Sequence, residues 1–180
     1  MIHLNNYGWN DKLSQLKQES TYNALTHGRI SIVHRTCYEV VSENGLFQCE
    51  LTGNMMYGKS DFELPCTGDW VLFQPFDEHK GIIVDMLPRE RTLYRKKNGT
   101  VADKQTIASY VDKAFIVQSL DDNFNVRRAE RFMVQMQEEH INPVLVFNKA
   151  DLRFDKQKVE EQIRHIARQI PVFFTSIHQS

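Results

Sequence analysis

Asn148, Lys149 and Asp151 stand in the order N-K-x-D, directly after the apolar run Val144-Leu145-Val146-Phe147 and ahead of a charged stretch of helical character. These residue types at this spacing suit the reading of guanine. A carboxylate at Asp151 accepts hydrogen bonds from the ring N–H and the exocyclic amine of guanine, a donor pair that adenine lacks. Asn148 braces the loop and reaches the base edge, and Lys149 lays its aliphatic stem along the base. Such a site rejects other bases because they leave its polar groups unpaired. Four residues alone form a motif that chance also places in helix-starting loops. A second element supports the reading: Pro171-Val172-Phe173-Phe174 has the pattern of another buried strand, ending in Thr175-Ser176-Ile177. A backbone N–H in a loop of that kind meets the guanine O6, which requires a strand end more than any one side chain.

Residues 53–60 also match the phosphate-loop spacing G-x-x-x-x-G-K-S. A working phosphate loop joins a buried strand to a helix whose N-terminus faces the phosphates. Here Pro65 and Gly68 interrupt the following stretch before a helix can form, and residues 46–51 alternate like a half-exposed strand. The segment therefore reads as a loop between two strands.

The elements that must position these loops come in two styles. In the first half, strand-like runs at 29–33, 37–41, 46–51, 69–73 and 81–84 are separated by turn residues. Five such strands predict a small OB-like barrel, a fold whose open face takes oligonucleotides, with an SH3-like barrel as the alternative. Tyr38, Phe47, Trp70 and Phe73 suit either base stacking or the barrel core, and the core is the commoner fate of strand aromatics. The second half alternates strand and helix: strands at 114–117, 144–147 and 172–174, helices at 126–140 and 156–169 capped by Asn125 and Asp155. A parallel arrangement places the Asn148 and Thr175 loops at one strand-end edge.

The net charge of −1 conceals a segregation. Residues 1–86 carry six basic against eleven acidic side chains, 87–104 six against two, and 105–180 ten against ten. The basic segment, with Pro88 and Gly99 as punctuation, reads as an exposed connector that either contacts phosphate or serves as a solvated linker. An acidic barrel half needs a local patch to bind nucleic acid, here Arg29, Arg35 and Lys59 together with Arg89, Arg91, Arg95, Lys96 and Lys97. With 41% hydrophobic and 25% charged residues the composition is that of a globular protein. Neither a membrane-length apolar run nor a signal-peptide pattern is present, so a cytoplasmic location without membrane contact is expected. Cys37, Cys49 and Cys66 lack C-x-x-C spacing and read as reduced, mostly buried thiols.

Taken in order, Gly68-Asp69-Trp70-Val71, Leu87-Pro88-Arg89, Leu93-Tyr94-Arg95-Lys96, Gln105-Thr106-Ile107-Ala108, Val111-Asp112, Phe115-Ile116-Val117, Asn123-Phe124-Asn125 and Arg128-Ala129-Glu130-Arg131 resemble the RsgA/YjeQ family. The likeness runs from about Gly28 to Ser180. It implies a circularly permuted, ribosome-dependent GTPase in which the guanine-specificity loops precede the phosphate loop. Asn148, Lys149 and Asp151 match the family's base motif. Ser176 matches its second base loop, with Ile177 where a small residue is usual. The domains expected are an N-terminal arm over 1–27, an OB-fold RNA-binding domain over 28–87, a basic connector over 88–104 and a partial GTPase domain over 105–180. For the intact parent the resemblance implies GTP or GDP with Mg²⁺, a structural Zn²⁺, and action on 16S ribosomal RNA in late maturation of the 30S subunit. Its phosphate loop, switch segments and zinc cluster would lie beyond Ser180. The expectation is therefore an N-terminal portion that by itself neither binds GTP tightly nor hydrolyses it and holds no firm cofactor, against the alternative of a stand-alone RNA-binding module with a degenerate nucleotide domain.

Overall fold

A computed structural model of the chain describes residues 1–96, 104–122, 124–152, 156–167 and 170–178. They fall into two compact units, Met1–Tyr110 and Val111–Ser180. In the first unit, strands β1 (Thr26–Val33), β2 (Tyr38–Ser42), β3 (Gly45–Leu51), β4 (Trp70–Asp77) and β5 (Lys80–Met86) close a barrel in the order β1-β2-β3-β5-β4. β1 pairs antiparallel with both β2 and β4, while β3 runs parallel to β5. That closure is of the OB type and decides between the two barrels the sequence left open.

The strand pattern builds the interior directly. In β3, Phe47 and Cys49 point inward while Leu46, Gln48 and Glu50 face out. Ile30, Val40, Val71, Phe73 and Ile83 complete the same core. β1 must serve two partners and so has to bend; it carries a bulge between Ile30 and Ile32. At Gly28 a Cβ would lie 2.5 Å from Val40 Cγ1 and 2.6 Å from the Val41 carbonyl oxygen, so no side chain fits at that closure. Tyr38, Phe47, Trp70 and Phe73 are all buried, which assigns them to the core and not to a stacking surface.

Residues 1–27, expected as an arm, are packed structure. A 3₁₀ turn at Leu4–Tyr7 and helix α1 (Asp11–Glu19) set Leu4 and Leu13 against Val41, Trp70, Leu72, Leu87 and Tyr110. The Asn10 side chain caps α1 by accepting the Leu13 N–H at 3.1 Å.

Of the segment expected as an exposed connector, residues 97–103 lie outside the described residues, and the rest is folded. After Leu87, which is buried, β6 (Leu93–Lys96) pairs antiparallel with β7 (Lys104–Ala108). Residues 105–110 therefore belong with the barrel, and the division falls after Tyr110, not after residue 104. A buried polar knot explains why. The Asp69 carboxylate, wholly out of solvent, accepts from Arg89 Nε at 2.9 Å and Nη2 at 2.7 Å, from the Ser109 hydroxyl at 2.6 Å and from the Cys66 N–H at 2.8 Å. Arg89 also donates to the carbonyls of Phe62 and Leu64. Gly68, at φ +96°, lets this chain crossing close, since a Cβ there would sit 2.3 Å from the Ser109 carbonyl oxygen.

The second unit follows the expected alternation: β8 (Lys113–Ser119), α3 (Val126–Glu138), β9 (Asn142–Asn148), α4 (Lys156–Ala167) and β10 (Val172–Phe174). The strands are parallel with β9 in the middle. Asn125 caps α3, accepting the Arg128 N–H at 3.1 Å, and Ala129, Met133 and Met136 form its buried stripe. α3 packs on β8 and β9, and α4 on α3. On β8, Ile116 and Gln118 are buried while Phe115 and Val117 are 65% and 61% exposed, so the strand presents an open apolar side opposite the helices. The expected α4 cap Asp155 lies outside the described residues. No described helix is long and apolar enough to cross a membrane.

Candidate guanine-recognition site

Parallel pairing brings the carboxyl ends of all three strands of the second unit to one edge. Ser119 of β8 pairs with Asn148 of β9, and Phe174 of β10 pairs with Phe147. Phe147, fully buried, contacts the rings of Phe124 and Phe174 at 5.4 Å and anchors that edge. Backbone bonds then tie the three exit loops together. The Leu120 N–H donates to the Asn148 carbonyl at 3.0 Å, the Thr175 N–H to the Phe147 carbonyl at 2.8 Å, and the Ala150 N–H to the Thr175 carbonyl at 3.0 Å.

The motif side chains are held in this frame. Asn148 Oδ1 accepts the Lys149 N–H at 2.8 Å and lies 3.4 Å from the Thr175 hydroxyl, which turns its side chain into a brace for both loops. Lys149 takes the left-handed backbone conformation, φ +64°, at the sharpest point of the turn. The Asp151 carboxylate accepts a short hydrogen bond from the Ser176 hydroxyl, and the Ser176 oxygen accepts the His178 N–H at 3.1 Å. The Ser176 hydrogen bond, then the backbone N–H of Asp151 itself, hold this carboxyl below the usual carboxylate range, with the charges of His178 and Lys149 assisting. A carboxylate is an acceptor on both oxygens, the chemistry that reading guanine calls for. Ile177 is 83% exposed beside it, so its bulk faces solvent rather than filling the loop. The structure brings all five sequence-derived residues, Asn148, Lys149, Asp151, Ser176 and Ile177, to a single edge.

Comparison with known proteins bears on the family. The family model for the RsgA GTPase matches residues 86–180. The chain belongs to the RsgA GTPase family. It is 70% identical over 98% of its length to "Small ribosomal subunit biogenesis GTPase RsgA 1" of Bacteroides thetaiotaomicron, covering 50% of that protein. Among solved structures it resembles YjeQ from Thermotoga maritima, with a TM-score of 0.61 and 23% identity over 84% of this chain and 51% of that one. YloQ, a circularly permuted GTPase, aligns with a TM-score of 0.58 and 23% identity over 89% and 54%. These two likenesses concern the fold. The chain spans about half the length of the curated relatives it matches.

Against the RsgA pattern, the basic candidates of the first unit divide. Arg29 turns inward: its Nε donates to the Gly68 carbonyl at 3.0 Å, its Nη1 to the Tyr7 carbonyl, and its guanidinium stacks 5.8 Å from the Trp70 ring. Arg89 is bound in the Asp69 knot. Both were expected at an RNA surface; in the fold their guanidinium groups are taken up by the buried Asp69 carboxylate and by backbone carbonyls. Arg91 pairs with Glu90 at 3.3 Å. Lys59 directs its ammonium to the Met55 sulfur at 3.5 Å. Arg35 is exposed, and Arg95 is exposed with its Nε on Gln105 Oε1 at 3.0 Å. Lys96 is described by its backbone alone, and Lys97 lies outside the described residues.

The phosphate-loop match behaves as expected from its context. Its first residues form helix α2 (Gly53–Met56), a single turn, and the next element is strand β4. The Glu63 carboxylate accepts both the N–H and the hydroxyl of Ser60, placing an anion where a phosphate would need donors. Among the described residues no three His, Cys, Asp or Glu side chains gather to hold a metal ion.

One participant escaped the sequence reading. Asp121, two residues past β8, forms an ion pair with Lys149 at 2.7 Å. The acidic pair Asp121-Asp122 at a strand exit was the available signal, but nothing in the linear order connects it to a lysine 28 positions away.

Proposed function

We propose that this chain is the guanine-reading part of a GTPase that serves biogenesis of the small ribosomal subunit in the cytoplasm, and that its barrel contacts 16S ribosomal RNA. The observation that carries the reading is the ionised Asp151 carboxylate fastened by Ser176 at a shared strand-end edge, in a chain of the RsgA family. The name of the Bacteroides relative supports the ribosomal assignment. GTP or GDP is the nucleotide class, and Mg²⁺ and a structural Zn²⁺ belong in this proposal to the whole protein. For these 180 residues we propose base recognition without GTP hydrolysis, because the literal phosphate-loop match leads into strand β4 and not into a helix whose N-terminus could face phosphates.

For RNA, the supporting feature is an open groove of ≈ 520 Å³ between the β1–β2 loop and the β6–β7 hairpin. Arg35 and Arg95 supply positive charge there beside one acidic residue, Asp61, and Val33 and Ile107 supply apolar surface. Cations for phosphates beside apolar contacts for bases are what a single strand requires.

The test compares nucleotides that differ only in the base. Asp151→Asn replaces the carboxylate acceptor by an amide donor, so the variant is expected to lose affinity for guanosine monophosphate and gain it for xanthosine monophosphate in a titration followed by NMR. An unchanged preference removes Asp151 from the site. Salt-sensitive binding to small-subunit RNA, without any preference of the chain for guanine over adenine nucleotide, would favour a stand-alone RNA-binding module instead.

A further inference from the structure

The ion pair between Asp121 and Lys149 has no evident duty in stability. The two side chains are 22% and 49% exposed, and pairs so placed contribute little to folding. Yet the pair is built with care for geometry. Asp121 Oδ1 accepts the Ser119 hydroxyl at 2.7 Å, which fixes the carboxylate on one oxygen and leaves Oδ2 to meet the lysine. Ser119 is itself in register with Asn148, and the next N–H, from Leu120, is bonded to the Asn148 carbonyl. The loop after β8 is therefore bolted to the motif loop at its backbone and again at the end of the lysine side chain.

The lysine needs such a hold. Its backbone sits at φ +64°, an unusual conformation for a residue with a long side chain, and the Leu152 N–H closes the turn on its carbonyl at 3.1 Å. The turn fixes where the stem starts. A four-carbon stem with a solvated ammonium still samples many rotamers, and ordering them weighs against any ligand that uses the stem as a surface. Anchoring the ammonium at Asp121 fixes where the stem ends. Between those points run the methylenes of the stem, an apolar surface in the motif that also carries Asp151, whose carboxyl the charge of Lys149 helps to hold below the usual range.

We infer that Asp121 is a positioning residue for guanine recognition, holding the Lys149 stem in place before the base arrives. Asp121 makes no contact with the base in this assignment; it acts through Lys149. The inference rests on the guanine reading proposed above and adds to it a residue from a third loop.

The experiment titrates the full isotopically labelled chain with guanosine monophosphate and, separately, adenosine monophosphate, following amide shifts around 148–152 and 175–178. Asp121→Ala is expected to raise the dissociation constant for the guanine nucleotide about three- to tenfold, the range set by freeing one long side chain. Asp121→Glu restores part of it, the melting temperature stays within the scatter of the parent, and Asp121→Ala has no further effect in a Lys149→Ala background. A merely structural role would show in the melting temperature and persist in that background. If the parent prefers guanine and Asp121→Ala binds it equally well, the positioning role is overturned while the guanine reading stands. If the parent does not distinguish the two nucleotides, the guanine reading falls and takes the role of Asp121 with it.

Discussion

Removing either partner of the Asp69–Arg89 pair should destabilise the barrel unit severely, and the two losses should not add. Asp69 is fully buried and accepts four kinds of donor: Arg89 Nε and Nη2, the Ser109 hydroxyl and the Cys66 N–H. Stranding one member of a buried pair costs about 3–5 kcal/mol, because the remaining charge is left without its counterpart in low dielectric. The structure ranks the two variants within that range. Asp69→Ala leaves a guanidinium that is 12% exposed and keeps the carbonyls of Phe62 and Leu64, so the loss belongs near the lower end, about 3 kcal/mol. Arg89→Ala leaves a carboxylate with no solvent at all and only Ser109 and Cys66 to serve it, so the loss approaches about 5 kcal/mol. The double variant, with no charge to strand, should recover roughly 2–3 kcal/mol relative to the sum. Urea unfolding followed by tryptophan fluorescence isolates the effect, since both tryptophans of the chain, Trp9 and Trp70, lie in the barrel unit. A loss below about 1 kcal/mol for Asp69→Ala, or additivity of the two single variants, would refute the assignment of the pair as the fastening between barrel and hairpin.

Two further outcomes follow from the barrel unit. His27 stacks on Trp9 at 4.1 Å with its Nε2 unpartnered, and burial, then the charge of Lys17, push its pKa below 6.5 against a smaller opposing pull from Glu43. The folded state then binds fewer protons than the unfolded one, so its stability is complete above about pH 6.5 and declines as pH falls from there through the folded pKa. His27→Gln should flatten that slope in thermal melts read by tryptophan fluorescence, and an equal slope in both proteins would contradict it. Gly28→Ala should lower stability by about 1–3 kcal/mol, since the added methyl meets the Val41 carbonyl oxygen and backbone yields little. Gly53→Ala, with nothing within 4 Å of the new atom, serves as the control and should be neutral or slightly stabilising.

The position of the candidate loop at a strand end was legible in the chain because its parts are local. An apolar strand, a four-residue turn and a charged helix specify Asn148, Lys149 and Asp151 without help from distant residues, and the strand ending at Phe174 announces the partner loop in the same way. The parallel pairing of β8, β9 and β10 also followed from the strand–helix alternation, since parallel neighbours need a crossover between them. The five barrel strands were visible by their alternation, although their ends were not. β4 continues through Pro75 to Asp77, past the apolar run that signalled it.

What the linear order concealed were pairings made across long separations. The charged stretch around Arg89 and Arg95 has the composition of a solvated linker, and only the closed barrel shows that Asp69 lies buried beneath it and draws Arg89 inward. β6 and β7 are polar and short, with no pattern of their own; they exist because each supplies the other's backbone bonds and because Ser109 and Tyr110 are drawn to the barrel. Asp121 belongs to the same class. Hydrophobic periodicity and turn chemistry act over a few residues and can be read in order, whereas the destination of a buried charge depends on which partners the fold brings within hydrogen-bond reach.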